Sequence, residues 1–182
     1  VENGAEVNAK NKSRSAIQLA AKKGHLNIVK YLVENGAEVN AKNKSRSAIQ
    51  LAAKKGHLNI VKYLVENGAE VNAKNKFGQS TLYEAVVEGR LDIVKHFVEN
   101  GAEVNAMDKW STSAVQLAAM NGHVDIVKYL VENGVEVNAK DECGRSVLHN
   151  AVLAGDLNLV KCLVENGAGV NAELKRRALQ LA

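Results

Sequence analysis

Two apolar figures alternate along this chain. One is short and rich in alanine, as in Val115, Leu117, Ala118 and Ala119; the other is longer and branched, as in Val124, Ile126, Val127, Leu130 and Val131. The longer figure falls at i, i+2, i+3, i+6 and i+7, which is one stripe of an amphipathic helix. Ser113 stands where an N-cap oxygen can accept from the exposed amides of the shorter helix, Gly122 where that helix can stop, and Gly134 where the second can stop. The same punctuation returns with Ser15, Ser47, Ser80 and Ser146 at the cap, Gly24, Gly56, Gly89 and Gly155 at the first stop, and Gly36, Gly68, Gly101 and Gly167 at the second. The pattern predicts an all-α chain of paired helices. At about eight residues each, such helices are marginal alone in water and must be held by stacking on neighbours.

The tetrapeptide Val-Glu-Asn-Gly marks the period. It begins at Val1, Val33, Val65, Val98, Val131 and Val164, spacings of 32, 32, 33, 33 and 33. Residues 1–44 recur without change as residues 33–76, which implies recent duplication or assembly by design. Full units are expected over 10–41, 42–73, 74–106, 107–139 and 140–172, with 1–9 finishing an earlier repeat and 173–182 beginning a later one, all within one repeat domain over 1–182. Arg176 and Arg177 fall where the serine cap would sit. Neither end carries a polar capping repeat, so the array is expected to continue beyond both ends, and open stack ends would allow end-to-end self-association of this segment.

The string Ser-Ala-Val-Gln-Leu-Ala-Ala-x-x-Gly-His-x-x-Ile-Val-Lys-Tyr-Leu-Val-x-x-Gly-x-x-Val-Asn-Ala resembles the ankyrin repeat, whose period is 33 residues. The likeness covers essentially the whole chain. It implies an ankyrin-repeat solenoid of five full helix-turn-helix repeats plus partial repeats at both ends. Each repeat would carry a hairpin-like finger before two antiparallel helices. The family's Thr-Pro-Leu-His signature is degraded here: Ala16, Ala48, Thr81, Ala114 and Val147 replace proline, while Gln18, Gln50, Tyr83 and Gln116 stand where only His149 keeps the histidine. Softer repeats are expected from that loss. Units one and two also lack one finger residue, Asn11-Lys12-Ser13-Arg14 standing against Asp108-Lys109-Trp110-Ser111-Thr112, so their tips should be tighter or differently aimed.

Composition narrows the function classes. Aromatic residues are only 4% of the chain, so its core has to come from Ala, Val, Leu and Ile in thin layers. No apolar run approaches the roughly 18 residues of a membrane helix, and Val1–Lys10 lacks the regions of a signal peptide, so an intracellular protein, cytoplasmic or nuclear, is expected, with no membrane insertion. Cys143 and Cys162 are too few for a disulfide framework and lack zinc-site spacing. The sequons at Asn11 and Asn43 are read as chance. There is no phosphate-binding glycine loop, no His-Glu-x-x-His and no Gly-x-Ser-x-Gly. No catalytic residue, metal or cofactor is expected, and the chain is read as a non-enzyme. For His25, His57 and His123 the resemblance implies a structural bond at the helix junction.

Charge then divides the molecule. Residues 1–73 carry 12 basic and 6 acidic side chains, residues 74–172 carry 9 and 13, and the tail adds three basic and one acidic, so segments of +6, −4 and +2 make up the net +4. Packing constrains the stacking positions, so information about a partner has to lie on the finger and the exposed first-helix face. There, unit one places Lys12, Arg14, Lys22 and Lys23, and unit two Lys44, Arg46, Lys54 and Lys55. Units three to five turn apolar, with Phe77, Trp110, Met120 and then Arg145 beside Cys143. Aromatic anchors are enriched in interface hot spots. The resemblance implies a scaffold that binds a partner protein through its concave groove and finger tips, and the residues suggest a partner with acidic groups and apolar anchors. A mechanical or architectural spacer is the alternative. Nucleic-acid binding through the basic strip is a weaker reading, because the rest of the surface is net acidic.

Overall fold

The computed structural model describes residues 6–8, 15–41 and 46–170. Among these residues it contains ten helices and no strand. They form five pairs: α1 (Ala16–Lys23) with α2 (Leu26–Glu34), α3 (Ala48–Lys55) with α4 (Leu58–Glu66), α5 (Thr81–Val87) with α6 (Leu91–Glu99), α7 (Ala114–Met120) with α8 (Val124–Glu132), and α9 (Val147–Leu153) with α10 (Leu157–Glu165). The chain divides into two compact units, Val1–Ala102 and Glu103–Ala182. In the first, α3 packs between α1 and α5, and α4 between α2 and α6; in the second, α7 packs on α9 and α8 on α10. This is an all-α architecture of helix pairs stacked within each unit.

Local chemistry accounts for each short helix. All five first helices start after an extended serine, and the oxygens of Ser80 and Ser113 accept from the amides of Tyr83 and Gln116. In return, the side chains of Gln18, Gln50 and Gln116 accept from the amides of Ser15, Ser47 and Ser113 at 3.0, 3.0 and 2.9 Å. The Ser80 and Ser113 oxygens and the three glutamines thus satisfy amides that no helical carbonyl reaches. Every second helix ends on an asparagine whose Nδ2 donates back one turn, from Asn35, Asn67, Asn100, Asn133 and Asn166 to the carbonyls of Tyr31, Tyr63, His96, Tyr129 and Cys162, each at 2.8 Å. Glycine follows in each case.

The two apolar figures have different duties. Small residues such as Ala21, Ala52, Ala53, Ala85, Ala118 and Ala119 let the first helices approach closely, while Val61, Leu64, Val94, Phe97, Val127 and Leu130 fill the layer beneath; all are fully buried. Burying a side chain of the larger kind contributes about 1.5–3 kcal/mol.

Polar side chains tie one repeat to the next. The Nε2 of Gln18 donates to the carbonyls of Ala41 and Arg46 at 2.9 and 3.1 Å, that of Gln50 to Ala73 and Gln79 at 3.2 and 3.3 Å, and that of Gln116 to Ala139 and Arg145 at 3.3 and 2.8 Å. The glutamines that stand for the family's histidine therefore hold both the serine cap and the following finger. His149 keeps the local half, its Nδ1 accepting from the Ser146 amide at 3.2 Å. The asparagine of Val-Asn-Ala makes a second ladder. Asn40 donates to Gly68 O at 2.8 Å and accepts from Glu70 N at 2.9 Å, and Asn138 bonds Gly167 O at 3.0 Å and Gly169 N at 2.7 Å.

Candidate functional site

The finger turns are built by one side chain each. Asn75 Oδ1 accepts from the amides of Phe77 and Gln79 at 2.8 and 3.2 Å; Asp108 Oδ1 accepts from Trp110 and Thr112 at 2.9 and 3.0 Å; Asp141 Oδ1 accepts from Cys143 and Arg145, both at 2.9 Å. An Asn or Asp that gathers the amides two and four residues on can hold a tight loop without a strand on either side. The next position but two needs a left-handed backbone, supplied by Gly78 and Gly144 and, in the fourth repeat, by Ser111 at φ 57°. Met107 and Ser113 form an antiparallel bridge at the base of that finger.

These turns set Phe77 and Trp110 outward. Phe77 is 39% exposed, with the Lys76 ammonium 4.8 Å from its ring centre, and Trp110 is 49% exposed. The Trp110 carbonyl meets the Glu142 amide of the next finger at 3.5 Å. At the ends of α7 and α9, Met120 is 54% and Leu153 is 74% exposed. The second unit thus presents three large apolar side chains on its fingers and first-helix ends. Leu153 lies one period after Met120, on the same first-helix face that the sequence marks as exposed and variable.

The basic residues are less uniform than their duplication suggests. Lys12, Arg14 and Lys44 lie outside the described residues, as do the shortened finger tips and Arg176 and Arg177. Lys23 and Lys55, the last residues of α1 and α3, are exposed, and Lys22 and Lys54 are half-buried. Arg46 and Lys54 are engaged inside the first unit: Arg46 Nε donates to Glu84 Oε1 at 2.5 Å, and Lys54 Nζ stands 3.9 Å from Glu84 Oε2 and 3.6 Å from Glu88 Oε1. The Glu84 side chain is only 3% exposed. Sequence reasoning missed it, although an acidic residue at a position that is leucine in units one, two and four was the available signal.

Arg145 is likewise held within its own finger, its Nε donating to Asp141 Oδ2 at 2.9 Å. Burial of the Asp141 carboxyl acts to raise its pKa. The amide and guanidinium of Arg145, with the Cys143 amide, more than offset that and hold it below the ordinary carboxylate value.

The helix junctions carry histidine in a structural setting. His57 Nε2 lies 3.2 Å from the Lys22 carbonyl of the preceding repeat, and its ring covers Gly24. Arg90 covers Gly56 in the same way one repeat on. Cys143 is exposed and Cys162 half-buried, both unpaired by disulfide. Among the described residues no group of His, Cys, Asp and Glu is arranged to hold a metal ion, and no helix is long and apolar enough to cross a membrane.

A family model described as Ankyrin repeats (3 copies) matches residues 1–75, 42–108 and 82–174. No curated protein matches the chain in sequence. Five helix pairs run through the described residues within the three matches, and the chain belongs to the ankyrin repeat family.

Proposed function

We propose that this chain is a protein-interaction scaffold that takes its partner on the finger tips and the exposed ends of the first helices. Ankyrin repeats are generally protein–protein interaction modules, so the coarse function follows from the family. The finer reading is that Trp110 and Met120, with Phe77, act as apolar anchors, and that the cations of the first two repeats favour an acidic partner. The observation that carries it is Trp110, half exposed on a turn that Asp108 holds rigid. A large apolar side chain carried on a preformed turn meets a partner at a lower ordering cost than one on an unformed loop. Ankyrin repeat proteins are typically non-enzymatic scaffolds, which agrees with this reading.

The test compares the parent with Trp110→Ala and Met120→Ala together in capture of partners from lysate, with helicity checked by circular dichroism. Hot-spot truncations cost about 2 kcal/mol or more, roughly 30-fold in affinity, so a captured protein should be lost. An unchanged captured set, with the fold intact, would remove these residues from the interface. The identity of residues 1–44 with 33–76 favours a second reading, a spacer whose length matters more than its faces. That reading expects binding to survive the double substitution.

A further inference from the structure

Units one and two are identical in sequence over their helices, yet the residues that follow them one repeat on differ. Lys22 of the first unit is followed, one repeat on, by Leu51, whereas Lys54 of the second is followed at the same place by Glu84. The series at that place runs Leu19, Leu51, Glu84, Leu117 and Asn150, so the third repeat has an acid where three others have leucine. Leu51 and Leu117 are 6% and 8% exposed there, which shows that the site accepts a leucine within the packed layer. Glu84 instead brings a carboxylate into that layer, and its two oxygens face Arg46 at 2.5 Å and Lys54 at 3.9 Å.

The geometry points to Glu84 as a specificity-determining residue, one that occupies the second basic group from within and so limits how strongly the strip takes an acidic protein segment. The inference rests on the reading of the basic strip given above. A carboxylate anchored in the helix layer is always present beside Arg46 and Lys54, at an effective concentration that a partner's carboxylate must match. Electrostatic attraction between a cation and an incoming acid falls when an internal acid already neutralises it. The exact duplication therefore does not give two equal acid-binding groups. The second lends Arg46 and Lys54 to the fold. Glu88 stays beside Lys54 in any case, so the main release on removing Glu84 falls on Arg46.

Glu84→Leu makes the third repeat like its neighbours, and replacing a buried ion pair by a well-packed apolar residue is often neutral or stabilising. Glu84→Gln keeps the side-chain shape and serves if leucine disturbs the layer. The probe is a fluorescent oligoglutamate peptide titrated by anisotropy at about 50 and about 200 mM salt, where screening lengths differ about twofold. Glu84→Leu and Glu84→Gln should bind the peptide at least about threefold tighter than the parent, with a steeper salt dependence, and adding Arg46→Gln should cancel the gain. Equal affinity and equal salt dependence in parent and variants, with thermal melts showing all of them folded, overturns the inference while leaving the strip as a binding surface. If neither parent nor variants bind the peptide at the lower salt, the acidic-partner reading itself fails and takes this inference with it. Tighter binding of a single-stranded oligonucleotide than of the peptide would assign the strip to nucleic acid instead.

Discussion

At the scale of single residues, the glycines differ in what they are for. Gly24 and Gly36 both hold a left-handed backbone, at φ 82° and 84°, but a Cβ on Gly24 would stand 2.7 Å from His57 Cε1, whereas one on Gly36 would meet nothing within 4 Å. Gly36→Ala should therefore cost only the backbone term of about 1 kcal/mol, and Gly24→Ala that term plus the displacement of an imidazole bonded to the Lys22 carbonyl, about 2 kcal/mol or more in all. Chemical denaturation of the two variants checks the order, and equal losses would show that His57 moves aside freely. The left-handed requirement could be read from the position of each glycine after an apolar stripe. The contact with His57 could not, because it joins residues in different repeats and depends on how closely two junctions stack. For the same reason sequence offered Arg46 as a free binding cation, while its partner Glu84 lay 38 residues away.

At the scale of elements, backbone satisfaction explains why helices of seven to nine residues persist. Gln116 serves four groups at once, its Oε1 facing the Ser113 amide and hydroxyl and its Nε2 facing two carbonyls of the next finger. Gln116→Ala should leave buried partners unsatisfied and cost about 2–4 kcal/mol, while Gln116→His, the residue that the fifth repeat keeps at this place, should cost less. Urea unfolding followed by far-UV circular dichroism would decide, and a near-neutral alanine variant would mean that water replaces the amide. Loss of Thr-Pro-Leu-His suggested softer repeats from sequence. The structure shows glutamine making the cap bond and adding the bonds to the next finger, since its amide offers an acceptor and donors on one longer arm.

Over the whole molecule, stability in a stack is approximately a sum over neighbouring repeats, so one unfavourable layer weakens its surroundings without a compensating core elsewhere. His96 occupies the place held by Tyr31, Tyr63 and Tyr129 in other repeats, and its buried Nε2 has no hydrogen-bond partner. Burial first, and then the Lys62 ammonium, hold its pKa below the ordinary 6.5, with Glu99 on its own helix and Glu66 on α4 acting in the opposite direction. With the folded pKa depressed, the unfolded chain takes up the proton first, so the stability that neutral His96 supports is present above pH 6.5 and declines as pH falls below it. His96→Tyr should remove that part of the acid sensitivity; denaturation midpoints for parent and variant on either side of pH 6.5 would show it, and parallel pH profiles would count against it. The sequence by itself determined the period, the helix pairs, their serine and glycine boundaries and the family, because all of these follow from local propensity and from spacing within one repeat. Only the tertiary structure decided which cations are spent on Glu84 and that the Asn and Gln ladders join consecutive repeats. Those outcomes depend on distances between residues about a full repeat apart, which spacing within one repeat does not fix.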